Sequence, residues 1–291
     1  MNAFRAYRQF DMHCHVKNDL MDVLNRRSEF GISDAVVFIP PEISQIPEAH
    51  RNHYCYISEM PSGRMGLFCG ECKCFLTESE DFFFNDNLAL SEKCAGIEGA
   101  HFFALIPVVK TKMQELVDKY VSAIPNLMGF KLYTGISEVT LDESIPFKGQ
   151  FPLVIHTGTF ENQLPNNMLH FVSSYKGNVM LAHLARLDTD FLSRVNKFDH
   201  IYYDISPSAE MLRRHLNNYK VFLYKRSVDV ASVDCMYKIL FDNVRLESVL
   251  WGSDEPYSEL NEEYEVFQNS YLSSSEKKKI LLENPLHFLR L

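Results

Sequence analysis

The segment FDMHCHV, residues 10–16, sets His13 and His15 two positions apart early in the chain. Alternate side chains of a strand share a face, so both imidazoles would point one way, with Asp11 below them. Met12 and Cys14 would point the other way. Two neutral imidazoles converging at a strand end suit a divalent metal. Histidine and acid recur downstream: His156 in PLVIHTG, His183 in NVMLAHL and Asp254 in VLWGSDE, with Lys131 inside MGFKLYT. Taken singly, each has an ordinary reading. A histidine after an apolar strand is often a packed core residue, Asp254 could cap a helix at PYSEL, and Lys131 could be a rim lysine. Their meaning depends on the elements that carry them.

Those elements read as strands. QFDMHCH (9–15), DAVVFIP (34–40), HFFALIPVV (101–109), MGFKLYT (128–134), PLVIHTG (152–158), NVMLAHL (178–184), HIYYDIS (200–206) and VLWGSDE (249–255) are short, apolar and rich in β-formers. Helical patterns such as TKMQELVDKYVSAI (111–124) and DTDFLSRVNKF (188–198) lie between them. Alternating β and α units imply a parallel sheet. Eight of them fit an α/β (β/α)8 TIM barrel, whose active site lies at the C-terminal strand ends. The expectation is a single barrel domain over residues 1–291. Residues 41–100 are too long for one connection, so they form an insertion after the second strand, holding a Cys-rich strand or hairpin in MGLFCGECKCFL and a returning helix near LALSEKCAGIEG.

In such a barrel His13, His15, His156 and Asp254 meet at one mouth. They would supply nitrogen and oxygen ligands for Zn2+ or a similar metal. The order His-x-His, Lys, His, His, Asp on successive strands resembles the amidohydrolase superfamily. The likeness is closest to the branch typified by aminocarboxymuconate-semialdehyde decarboxylase and related metal-dependent hydrolases. It runs from DMHCHV to the closing ENPLHFLRL; GISDAVVF is similar to the family's second strand and VLWGSDEPYS to its eighth-strand Gly-Ser/Thr-Asp motif.

The resemblance implies His13, His15, His156 and Asp254 as metal ligands, and His183 and Asp254 as catalytic residues. His183 would position water or ligate a second ion, while Asp254 would take the proton from water and pass it to the leaving group. Lys131 stands where two-metal members carry a carboxylated lysine; in one-metal members a basic residue there binds substrate. One Zn2+ is the expected cofactor, with a second ion on carboxylated Lys131 as the alternative. Arg186, on the loop after His183, would clamp a substrate carboxylate or cap its loop. Asp204 would sit behind a ligand histidine or serve as a structural strand-end acid.

The remaining features narrow the partners. Acidic residues outnumber basic ones, 38 to 29, which disfavours a nucleic-acid surface. The basic stretch YKVFLYKR (219–226) reads as a solvated helix face. No apolar run reaches a membrane span or a signal-peptide core. Seven cysteines make an odd number for a disulfide framework, so the chain is expected to be reduced and cytoplasmic. Cys69, Cys72 and Cys74 in CGECKC have metal-like spacing, with His50, His53, Cys55 and Cys94 in the same insertion. A structural zinc would need a second Cys/His pair folded back onto them. The alternation also fits a plain strand, and the expectation is buried small hydrophobes. Glu255 and Tyr257 are expected to line the pocket, and Phe82, Phe83 and Phe84 to pack in the core.

The reading is a metal-dependent hydrolase cleaving an amide, lactone or ester bond of a small, carboxylated molecule. A non-oxidative decarboxylase of the same branch is the nearest alternative; a nuclease or a silent binding scaffold lies further off. A homo-oligomer is compatible with the sequence.

Overall fold

The structure is a computed structural model describing residues 8–42, 46–53, 55–62, 64–78, 82–109, 112–136, 140–141, 151–217 and 230–291. The basic stretch at 219–226 lies outside the described residues.

Strands β1 (Phe10–His15) and β2 (Asp34–Phe38) begin the barrel, and β3 (Cys55–Glu59), β4 (Met65–Cys69) and β5 (Cys74–Glu78) form a separate antiparallel sheet. The barrel resumes with β6 (Ala100–Pro107), β7 (Gly129–Tyr133), β8 (Leu153–Ile155), β9 (Val179–Leu181), β10 (Ile201–Asp204) and β11 (Val249–Leu250). All neighbouring barrel strands are parallel, in the order β1-β2-β6-β7-β8-β9-β10-β11. Almost every residue of these strands is buried. That explains their near-continuous apolar sequences, because a parallel sheet is covered on both faces.

Helices connect the strands. The described ones are α1 (Leu20–Ser28), α2 (Phe84–Cys94), α3 (Met113–Ala123), α4 (Leu169–Ser174), α5 (Thr189–Val195), α6 (Ser208–Leu216), α7 (Val233–Phe241), α8 (Leu260–Asn269), α9 (Ser274–Lys278) and α10 (Asn284–Leu289). Side chains start several of them. Asp19 accepts from Met21 N and Asp22 N ahead of α1, and Asp188 accepts from Phe191 N ahead of α5. Phe82 and Phe83 are buried, as core packing requires. Among the described residues no helix is long and apolar enough to cross a membrane.

The barrel closes between β1 and residues 251–255. Met12 N donates to Trp251 O at 2.9 Å, Asp254 N to His13 O at 2.7 Å and His15 N to Glu255 O at 2.8 Å. A buried ionic knot backs this seam. Arg27 donates to Asp11 (2.8 Å), Glu255 (2.9 Å) and Ser253 (2.9 Å), while Asp11 also accepts from Ser253 N at 2.9 Å and Ser253 Oγ at 2.7 Å. Glu255 is therefore turned toward Arg27 and Arg26 and away from the mouth cavity, where the sequence reading expected it. An arginine left in the interior without partners would be costly, so its carboxylates hold it there.

The insertion forms three strands, β3 to β5. Cys55 and Cys69 are buried, but Cys72 and Cys74 are exposed. The expectation of buried small hydrophobes fails for those two because Cys72 lies in the turn between β4 and β5, and β5 is the sheet's outer strand.

Candidate metal centre at the barrel mouth

His13 and His15 project from β1 onto the same side, as the alternation requires. Phe38 on β2 wedges against both rings, with centroids at 5.2 Å and 4.7 Å. Each imidazole is oriented by an oxygen behind it. His13 Nδ1 lies 2.5 Å from Asp204 Oδ2, and His15 Nδ1 is 2.9 Å from Ile39 O. His183 Nδ1 is 3.0 Å from Ser206 O. An oxygen acceptor at Nδ1 fixes that nitrogen as the N–H and leaves Nε2 as the lone pair. Three imidazoles thus present Nε2 as the basic nitrogen.

Asp254 comes from the other side of the seam. Its Oδ1 is 3.1 Å from His13 Nε2 and 3.6 Å from His15 Nε2, and its Oδ2 is 3.8 Å from His183 Nδ1. One ligand atom each from His13, His183 and Asp254 lie within 4.8 Å of one another. His156 Nδ1 faces His183 Nε2 at 3.0 Å, so the fifth-strand histidine stands one position further out, paired with the sixth. This donor set, imidazole nitrogens plus one carboxylate, is the kind that holds a borderline divalent ion. The structure brings the five residues to one mouth, with His183 rather than His156 in the tightest cluster.

The electrostatics favour the neutral, ligating form at three of the four histidines. Burial pushes the His15, His156 and His183 imidazoles well below their ordinary pKa, so they are neutral at pH 7. For His13, burial and Lys131 act to lower the pKa, but Asp254 and Asp204 outweigh them and raise it. Burial acts to raise the Asp254 carboxyl, yet His13 and His183 hold it well below the usual carboxylate range.

Lys131, on β7, is buried, and its Nζ donates to His13 Nε2 at 2.6 Å. Burial lowers its pKa to about 8, against the pull of Asp254 and Asp204. Arg186 is reached by an unusual backbone. His183, Leu184, Ala185, Arg186 and Leu187 all have φ between 45° and 60°, five successive residues in a conformation that costs a non-glycine residue roughly 1–2 kcal/mol. The turn is held at His183 by Ser206 O and at Arg186, whose Nε donates to Thr157 O at 3.0 Å. It delivers both side chains to the same opening.

That opening is a cavity of about 340 Å³ lined by His15, His156, His183, Asp254, Arg186 and Arg214, among others. Tyr257 also lines it, as expected. Arg214 on α6 is an addition, because MLRRHL reads in sequence only as a charged helix face. Asp204 is the acid behind His13, also accepting from Ser206 N at 2.8 Å and Ser206 Oγ at 2.7 Å. Gly252 explains part of the GSD motif: a Cβ there would sit 2.5 Å from His13 Cβ, so only glycine lets the seam close over the histidine.

Residues 148–291 match the family model for amidohydrolases. No curated protein matches the chain. A solved structure from Pseudomonas putida, provisionally described as a 2-pyrone-4,6-dicarboxylic acid hydrolase, is similar with a TM-score of 0.64 and 14% identity over 98% of both chains. A dihydroxybenzoic acid decarboxylase from a Polaromonas species, with bound manganese and the inhibitor 2-nitroresorcinol, gives 0.60 and 10% over 97% of both. A TIM-barrel protein from Bordetella bronchiseptica gives 0.61 and 10% over 97% of this chain and 98% of that one. At such identities the structural likeness speaks for the fold, an eight-stranded parallel barrel.

Proposed function

The chain belongs to the amidohydrolase superfamily, and from that premise we propose that it is a metal-dependent hydrolase of a small carboxylated molecule, cleaving an amide, lactone or ester. The observation that carries the reading is the convergence of His13, His183 and Asp254 within 4.8 Å beside a cavity that Arg186 and Arg214 line. His13, His15 and Asp254 would hold one divalent ion, most naturally zinc. The bonded pair His156 and His183 supplies the remaining nitrogen and orients the reacting water.

Such an ion, when bound, makes water acidic and withdraws charge from a carbonyl. The chain's own groups do the rest. Asp254, held ionised, takes the proton from water as it attacks and returns it to the leaving group. Arg186 and Arg214 bind the substrate carboxylate, while Lys131 stands against His13. The reading is one ion with an unmodified Lys131, whose Nζ stands 2.6 Å from His13 Nε2; a second ion on a carboxylated Lys131 is the alternative.

The test is turnover in ¹⁸O-labelled water by metal-loaded protein, using carboxylated lactones, esters and amides alongside carboxylated phenols. Label in the new carboxyl group supports hydrolysis. Release of carbon dioxide with no label assigns the decarboxylase chemistry named for the Polaromonas neighbour and overturns the hydrolytic reading.

A further inference from the structure

A second group of ligating side chains gathers in the insertion and shares no residue with the cluster around Asp254. His50 ends the short 3-10 turn Glu48–His50 and His53 follows it; Cys69 ends β4, and Cys72 lies in the turn before β5. The two Nδ1 atoms are 3.3 Å apart. His53 Nδ1 is 3.2 Å from Cys69 Sγ, and Cys72 Sγ is 3.6 Å from both His50 Nδ1 and His53 Nδ1. One ligand atom from each of the four residues lies within 4.8 Å of all the others.

Tetrahedral zinc, with bonds of about 2.3 Å to sulfur and 2.0–2.1 Å to nitrogen, requires N–N edges of about 3.3–3.4 Å and N–S edges of about 3.5 Å. The N–N edge of 3.3 Å and two N–S edges of 3.6 Å match those lengths, and the third N–S edge, at 3.2 Å, is somewhat shorter. The backbone is shaped for the same end. Lys73 takes φ 55°, its N–H donates to Cys69 O at 2.9 Å, and the Cys72 N–H donates to Cys69 Sγ at 3.3 Å. An amide donated to sulfur favours the thiolate. A Cys69–Cys72 disulfide would account for the sulfurs alone. It would leave unexplained why two imidazoles aim the same nitrogen at one point.

We propose that His50, His53, Cys69 and Cys72 form a structural Cys2His2 zinc site, separate from the mouth. Four protein ligands close the coordination sphere, as in structural rather than catalytic zinc. The role follows from size. Three five-residue strands bury only a few side chains, Ile57, Met65 and Leu67 among them, and a metal would add to that small core. Strand β3 packs against the turn Thr134–Ile136 that follows β7, so the clip fixes the insertion beside the strand that carries Lys131.

The test is cobalt substitution of the full-length protein followed by absorption spectroscopy. The mouth residues carry no sulfur ligand, so thiolate-to-cobalt charge transfer reports on this site alone. Protein loaded with cobalt at both sites should show that band together with intense tetrahedral bands in the visible. Cys69→Ser and Cys72→Ser should each abolish it, Cys74→Ser should keep it, and a His50→Ala/His53→Ala variant should lose one equivalent of zinc. Absence of the charge-transfer band in folded wild-type protein would overturn the site, whatever the variants do. So would its survival in Cys69→Ser, or a Cys69–Cys72 disulfide in the purified chain.

Discussion

Asp254 is joined to His13 twice: its backbone N–H donates to the His13 carbonyl at 2.7 Å, and its carboxylate Oδ1 lies 3.1 Å from His13 Nε2. The first is a bond of the barrel closure, and the second is a contact between two candidate ligands of the metal centre. One residue therefore serves the fold through its main chain and the chemistry through its side chain. Substitutions that keep the backbone can separate the two.

Asp254→Asn keeps the shape and the main-chain bond but removes the anion. Turnover should fall by about 10²–10⁴, the usual contribution of a positioned proton carrier, and metal should bind more weakly yet measurably. The thermal midpoint of the metal-free protein should change little. Wild-type turnover in this variant would rule out Asp254 as the base.

Asp204 acts one layer behind. Its Oδ2 lies 2.5 Å from His13 Nδ1, so it fixes the ring and strengthens Nε2 as a donor. Asp204→Asn should weaken metal binding by about 10–100-fold, the usual cost of losing such a partner. Competition with a chelator of known affinity measures it. An unchanged affinity would reduce Asp204 to a strand-end acid bonded to Ser206.

The knot behind the seam should matter for stability more than for turnover. Asp11→Ala strips Arg27 of one of its buried carboxylates, and breaking a buried pair costs about 3–5 kcal/mol. The exposed pair Arg245–Asp199 is the control, worth at most about 1 kcal/mol. Urea unfolding compares them, and equal losses would contradict the burial argument.

Lys131 predicts a pH dependence in metal-free protein. Burial lowers its pKa from 10.5 to about 8, so between those values the unfolded chain binds the extra proton. Stability should then rise with pH across that window, by about 3 kcal/mol for a shift of this size. Lys131→Met should lack that component while other titrations remain. Parallel pH profiles for the two chelated proteins would show that the amine is not desolvated as described.

Much of this was legible in the chain. The barrel strands announce themselves because a sheet buried on both faces needs unbroken apolar runs, and the positions of His13, His15, His156, His183 and Asp254 at their ends follow from the fold. The left-handed turn His183–Leu187 was not legible. No glycine marks it, and its conformation is enforced by Ser206 and Thr157 from neighbouring strand ends. For that reason the closer approach of His183 than His156 to His13 and Asp254 could not be read from spacing. Arg27 was hidden differently: in LMDVLNRRS it reads as the solvated end of a helix, and its partners are near it only once the barrel has closed. The metal-like spacing of Cys69 and Cys72 was visible, but whether His50 and His53 fold back onto them is a tertiary fact.

The seam also sets a clock on synthesis. His13 leaves the ribosome roughly 240 residues ahead of the segment it meets across the seam, which at about 5–20 residues per second is a wait of roughly 10–50 s. Through that interval the early imidazoles have neither their carboxylate nor the seam's backbone bonds, only those that β2 provides. His50 and Cys72, by contrast, are 22 residues apart, so the insertion's ligands are all present while most of the barrel is still untranslated. The same newborn chain can thus capture one ion early and locally, and offers the mouth ligands as a set only once Asp254 has emerged.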